Sequence, residues 1–170
     1  MRTKTIIYCD GAASMKCVNG EYIRENGGWA WAAIDDNDNL IESDYGGEKG
    51  VSNNRMELMS ILMALRKYND NISFHCDSAY CVNICNQWIQ NWAKNNWIRG
   101  KNEEIKNLDI IQEIYKYINV DFPNFIIKKC AGHSNIIGNE LADALASDNQ
   151  AKFKTILKEN NIKDKYDLFI

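Results

Sequence analysis

The sequence has no apolar stretch long enough to cross a membrane or to serve as a secretory leader. Its first hydrophobic run, Thr5 to Cys9, is stopped by Asp10 and Gly11. It contains six cysteines but no Cys-x2-Cys pair, so neither a structural zinc site nor the disulfide framework of a small secreted domain is indicated, and free thiols are expected. Cys81 and Cys85 stand one helical turn apart, a spacing read here as a buried small-residue face. There is no excess of positive charge either: 20 Lys and Arg against 23 Asp and Glu leave a net charge of -3. A broad basic surface for nucleic acid is therefore not advertised, yet the balance does not exclude one, because carboxylates gathered around bound cations are offset locally. Repeats, low-complexity blocks and linkers are also lacking. What remains is 170 residues, 45% hydrophobic, enough for one sizeable core. A soluble, cytoplasmic, single-domain monomer with no membrane partner is expected.

Along the chain, Thr3 to Asp10 reads as a buried strand ending on a carboxylate, and Ser14 to Gly28 reads as a long polar connection. Trp29 to Ile34 and Leu40 to Tyr45 are the next strands, joined through the turn-forming run Asp35 to Asn39. From Asn54 the apolar period becomes helical, with Met56, Met59, Leu62, Met63 and Leu65 on one stripe, a cap at Asn53 or Asn54, and Glu57 in the first turn. Ile72 to Cys76 is a short strand stopped by Asp77, with a helix from Ser78. Lys106 to Asn119 is helical, Phe125 to Cys130 is a strand, and the last helix starts near Gly138. The order β-β-β-α-β-α-β-α predicts an α/β fold with one mixed sheet and helices packed against it. Residues 1–151 form the expected catalytic domain, with 152–170 an appended basic helix and tail.

Four carboxylates are the candidates for chemistry: Asp10, Glu57, Asp77 and Asp143. Open α/β sheets bind ligands beyond the carboxyl ends of their strands, so Asp10 and Asp77 meet if their strands are neighbours. Four clustered carboxylates would repel and raise one another's pKa unless hard cations such as Mg2+ or Mn2+ neutralised them. Two such ions about 4 Å apart can activate water and stabilise a leaving oxygen in phosphodiester hydrolysis. Singly, each carboxylate is equally a solvated strand end or a helix-terminal charge. Patterning alone does not bring the four together.

The run Tyr8-Cys9-Asp10-Gly11-Ala12, the run Ser52-Asn53-Asn54-Arg55-Met56-Glu57-Leu58, the triplet Cys76-Asp77-Ser78, and Gly132-His133 followed by Gly138-Asn139-Glu140-Leu141-Ala142-Asp143 resemble the motifs of type 1 ribonuclease H, in order and over nearly the whole chain up to about Ala151. The resemblance implies the ribonuclease H-like fold, a five-stranded mixed sheet flanked by helices, and cleavage of the RNA strand of RNA–DNA hybrids with two Mg2+ ions, Mn2+ being a substitute. It implies that Asp10 bridges both ions, that Asp143 completes the site of the ion orienting the attacking water, and that Glu57 and Asp77 hold the ion on the leaving-group side. The products would carry a 5'-phosphate and a 3'-hydroxyl. His133, ten residues before Asp143, would move protons or release product.

The same resemblance assigns Asn53 and Asn54 to the RNA strand, where amides can read the 2'-hydroxyl. It assigns Ser52, Asn107 and Trp88 to the DNA strand, while Trp92 reads as a packing residue. Two positions depart from the pattern: Gly50 stands where a basic residue is expected in the phosphate pocket, with Lys49 beside it, and Ala79 stands where a glutamine often follows the Asp-Ser pair. The lobe from Trp92 to Lys106 is also only weakly basic, so hybrid binding is expected to be weak and strongly salt-sensitive. The alternatives are a ribonuclease H domain of a reverse transcriptase or polyprotein, disfavoured because no polymerase segment precedes Met1, and a catalytically silent hybrid-binding module, disfavoured because all four carboxylates are present. The terminal run Lys165-Tyr166-Asp167-Leu168-Phe169-Ile170 resembles the peptides that dock replication enzymes on a sliding clamp, although Leu168 and Phe169 packing back on the domain is the plainer reading.

Overall fold

A computed structural model describes residues 4–68, 72–101, 103–122, 125–132 and 135–162. Five strands form one sheet in the order β3-β2-β1-β4-β5. β1 (Thr5–Val18), β2 (Glu21–Ile34) and β3 (Leu40–Lys49) are an antiparallel meander, and β4 (Ile72–Cys76) and β5 (Ile127–Lys129) add to it in parallel. The expected five-stranded mixed sheet is therefore present.

The chain after Asp10 departs from expectation. Ser14 to Gly28 is not a connection but the distal half of a long β1–β2 hairpin, and β1 does not stop at Asp10. The turn is Asn19-Gly20, both residues at positive φ (53° and 82°), the pair that a two-residue hairpin turn with right-handed twist favours. The flanking strands expose polar and apolar side chains alike, Met15, Val18, Tyr22 and Ile23 among them, because the hairpin extends past the core, so the buried/exposed alternation expected of a half-buried strand is missing there.

Helix α1 (Asn53–Lys67) buries Leu58, Ile61, Leu62 and Leu65 against one face of the sheet. Its cap is Ser52, whose Oγ accepts from the Arg55 amide at 3.2 Å, rather than Asn53 or Asn54, and this places Glu57 beyond the first turn. After β4 the chain forms α2 (Ala79–Asn83), a π-helical turn (Ile84–Trp88) and α3 (Ile89–Lys94), with Cys81, Ile84, Cys85 and Ile89 inward. All six cysteines are free, and Cys81 and Cys85 belong to this core. α4 (Leu108–Val120) completes the face with Ile110, Ile111, Ile114 and Ile118. The opposite face is covered by α5 (Ile137–Ala146) and α6 (Gln150–Glu159). Within the segment read as appended, Phe153 is fully buried and Leu157 is 6% exposed, so the helical part of that segment is built into the second core. The run Lys165–Ile170 lies outside the described residues.

Candidate active site

The parallel β1–β4 ladder runs from Thr5 opposite Ile72 to Cys9 opposite Cys76. Asp10 and Asp77 are thus the next residues on two adjacent parallel strands, just past the last paired position, which is where such sheets gather ligands. Asp10 is carried by a strand that continues in pairing with β2, opposite Ala30, so its backbone is fixed on one side and open on the other.

Glu57 arrives from α1. A Cβ on Gly11 would collide with the backbone of Met56 and Glu57, so only glycine lets helix and strand approach this closely. The result is a direct side-chain hydrogen bond between Asp10 and Glu57, both nearly buried at 4% and 7% exposure. Cys76 donates its S–H to Glu57 Oε2 at 3.5 Å. Glu57, Cys76 and Asp77 each present a ligand atom within 4.8 Å of the others, the one such trio among the described residues.

These groups are held against their charge preferences. Burial first, then Asp77, pushes the Asp10 carboxyl well above the ordinary carboxylate range, and Asp143 adds to the shift. Burial likewise drives Glu57 upward, with Cys76 and Asp10 contributing. Burial and the neighbouring carboxylates thus make full ionisation of the pair costly, a cost that a proton or a cation among these oxygens would relieve.

Asp143 comes from the other face. A Cβ on Gly138 would overlap the ring of Tyr8, so α5 lies close against β1 and delivers Asp143 to the same end of the sheet. Its carboxylate is not in the trio; Oδ2 accepts a hydrogen bond from Lys152 Nζ at 3.0 Å. His133 lies outside the described residues.

A cavity of about 800 Å3, which none of the four carboxylates lines, has walls that include Ser52, Asn54, Trp88 and Asn107. Asn53 and Asn54 are exposed in the first turn of α1. Trp88 ends the π-helical turn, is 38% exposed, and stands 5.9 Å from the Trp92 ring, which packs on the core. Asn107 adopts the left-handed conformation (φ 61°) ahead of α4 and accepts from Arg55 Nη1 at 3.4 Å. Gly50 (φ 71°) has nothing near its Cβ direction, so the position expected to be basic is open space.

A model of the RNase H family matches residues 2–151. The chain belongs to the ribonuclease H family. The ribonuclease H of Rickettsia massiliae (strain Mtu5) is 38% identical over 160 residues, covering 93% of this chain and 98% of that protein. LC9-RNase H1, a type 1 RNase H with the type 2 active-site motif, superposes with a TM-score of 0.70 at 25% identity over 86% of this chain and 71% of its own. The foamy viral protease-reverse transcriptase, solved with an RNA/DNA hybrid, superposes at 0.74 with 17% identity over 86% of this chain and 20% of that one, a likeness of fold.

Three residues of this ribonuclease H escaped the sequence reading. Arg24, on the hairpin mistaken for a connection, lines the cavity with Arg99 and Lys106 and supplies charge that Gly50 does not. Arg55 bonds Asp109 through both terminal nitrogens, at 3.0 and 2.8 Å, and Glu48 through Nε at 3.0 Å. It thereby ties α1 to α4 and sets Ser52 against Asn107; its place between two motif asparagines and Glu57 was the available signal. Lys152 lies in the segment read as appended.

Proposed function

We propose that this ribonuclease H hydrolyses the RNA strand of RNA–DNA hybrids with two divalent cations held by Asp10, Glu57, Asp77 and Asp143, leaving 5'-phosphate and 3'-hydroxyl ends. The observation that carries this is the buried, hydrogen-bonded Asp10–Glu57 pair beside Asp77, with both carboxyls of the pair pushed upward by burial and by the charge of Asp77. The donor set fits a hard cation: the Cys76 thiol is engaged with Glu57, leaving carboxylate oxygens. Bound Mg2+, or Mn2+ in its place, supplies activation of water and stabilisation of the leaving oxygen.

The remaining roles follow from the cavity. Ser52 performs the capping, which leaves the exposed amides of Asn53 and Asn54 available to a 2'-hydroxyl. Ser52, Asn107, Arg24 and Lys106 suit a phosphate of the DNA strand, and the exposed face of Trp88 suits a sugar or base of that strand. LC11-RNase H1 has been solved in complex with an RNA/DNA hybrid, and its fold is shared at a TM-score of 0.57. The test is incubation of labelled hybrid, RNA duplex, DNA duplex and single strands with Mg2+, Mn2+ or EDTA. Cleavage of the RNA strand in hybrid alone, abolished by EDTA, is expected; equal cleavage of RNA duplex, or full activity in EDTA, would refute the proposal.

A further inference from the structure

Lys152 Nζ lies 3.0 Å from Asp143 Oδ2 and 3.6 Å from Glu140 Oε2. Its place is fixed from below. The Lys152 amide donates to Asn149 Oδ1 at 3.0 Å as the cap of α6, and the next residue, Phe153, is fully buried beneath α5. The ammonium is therefore carried to Asp143 by an anchored helix start, and the ion pair is partly shielded, with the Lys152, Asp143 and Glu140 side chains 37%, 24% and 20% exposed.

We propose that Lys152 is a resident counter-cation of Asp143 that competes with the divalent ion this carboxylate would hold, so that loading of that position is an exchange of one cation for another. Glu140 gives the exchange a direction. It lies on the same helix as Asp143, one turn earlier, and already faces the ammonium, so Lys152 can move onto Glu140 when Asp143 is taken up by a metal ion. Lys152 is a positioning residue: it acts through Asp143 and raises the divalent concentration that the site requires. Asp10 and Glu57 bond each other rather than a lysine, so the exchange is confined to the α5 side of the cluster.

The inference rests on the metal-dependent reading above, and the test separates the two. Mn2+ binding to the full chain, without nucleic acid, is measured by calorimetry at low ionic strength for the wild type, Lys152→Met, Lys152→Arg and Asp10→Asn, with a thermal melt of each to establish folding. The Met variant should bind Mn2+ about two- to five-fold more tightly, the size expected for removal of a competing, partly exposed charge. The Arg variant, which keeps the charge, should stay near wild type, and Asp10→Asn should lose most binding. Wild-type binding that is lost in Asp10→Asn but unchanged or weakened in folded Lys152→Met would overturn the role of Lys152 alone. Absence of Mn2+ binding to the wild type would overturn the metal-dependent reading, and the exchange with it.

Discussion

The two faces of the sheet are built differently, and the carboxylate cluster sits where they meet. The face under α1 and α4 is thick, filled by Trp31, Phe74, Leu58, Leu62 and a row of isoleucines. The face under α5 is thinner: Ala30 and Ala32 of β2 and Ala142, Ala144 and Ala146 of α5 share it with Ile34, Leu40, Leu141 and Leu145, while Phe153 and Leu157 of α6 add bulk from outside. Small residues let α5 lie close to the sheet, which brings Asp143 near Asp10, while Gly11 achieves the same closeness for α1 and Glu57 on the other side. Each face thus delivers one carboxylate, and the strands deliver two between them. A thin layer leaves little redundancy, so α6, remote from the sheet, becomes part of what holds the site.

The strongest way to break this arrangement is at its seam. Asp10→Asn is expected to lower cleavage of labelled hybrid by at least about a thousand-fold, because an amide cannot supply the charge a shared cation ligand needs. It should also raise the melting temperature of the metal-free protein at neutral pH, since a buried charge is removed. A variant that cleaves near the wild-type rate would remove Asp10 from the site.

Next comes the thin face itself. Phe153→Ala should cost about 3–5 kcal/mol in urea unfolding. A cost below about 1 kcal/mol would mean that α6 is an ornament on the fold rather than its second layer. Trp88→Ala tests the thick face at its exposed rim: it should weaken hybrid binding by about 1–3 kcal/mol in a filter or anisotropy assay, with the melting temperature nearly unchanged. Unchanged affinity with a lowered melting temperature would place Trp88 among the packing residues.

The smallest effect is on pH dependence. Asp10 and Glu57 have folded-state pKa values raised above their unfolded ones, so between those values the folded chain binds more protons, and its stability falls as pH rises from the ordinary carboxylate range toward neutrality. Melts of EDTA-treated protein should show this decline. Mg2+ should offset it, with a larger gain in melting temperature at pH 8 than at pH 5.5; a gain that did not grow with pH would count against a cation replacing protons at the pair.

Much of this was legible in the residues. The helical stripe of α1 appears in Met56, Leu62 and Leu65, the β4 run stops at Asp77, and the ordered motifs gave the family and its carboxylates, because local periodicity and short recognition runs are written in consecutive positions. The distal hairpin was misread because its strands leave the core and lose the apolar alternation, although Asn19-Gly20 carried the turn signal.

The sequence by itself determined which side chains were available and which segments fold as helix or strand, since both depend on residues close together along the chain. Only the tertiary structure decided that Arg24 lines the cavity, that Glu57 and Asp10 share a hydrogen bond, and that Lys152 rests on Asp143. Those contacts join residues on separate elements, and their distances are set by how closely glycine and alanine let the elements pack, a quantity that no local pattern encodes.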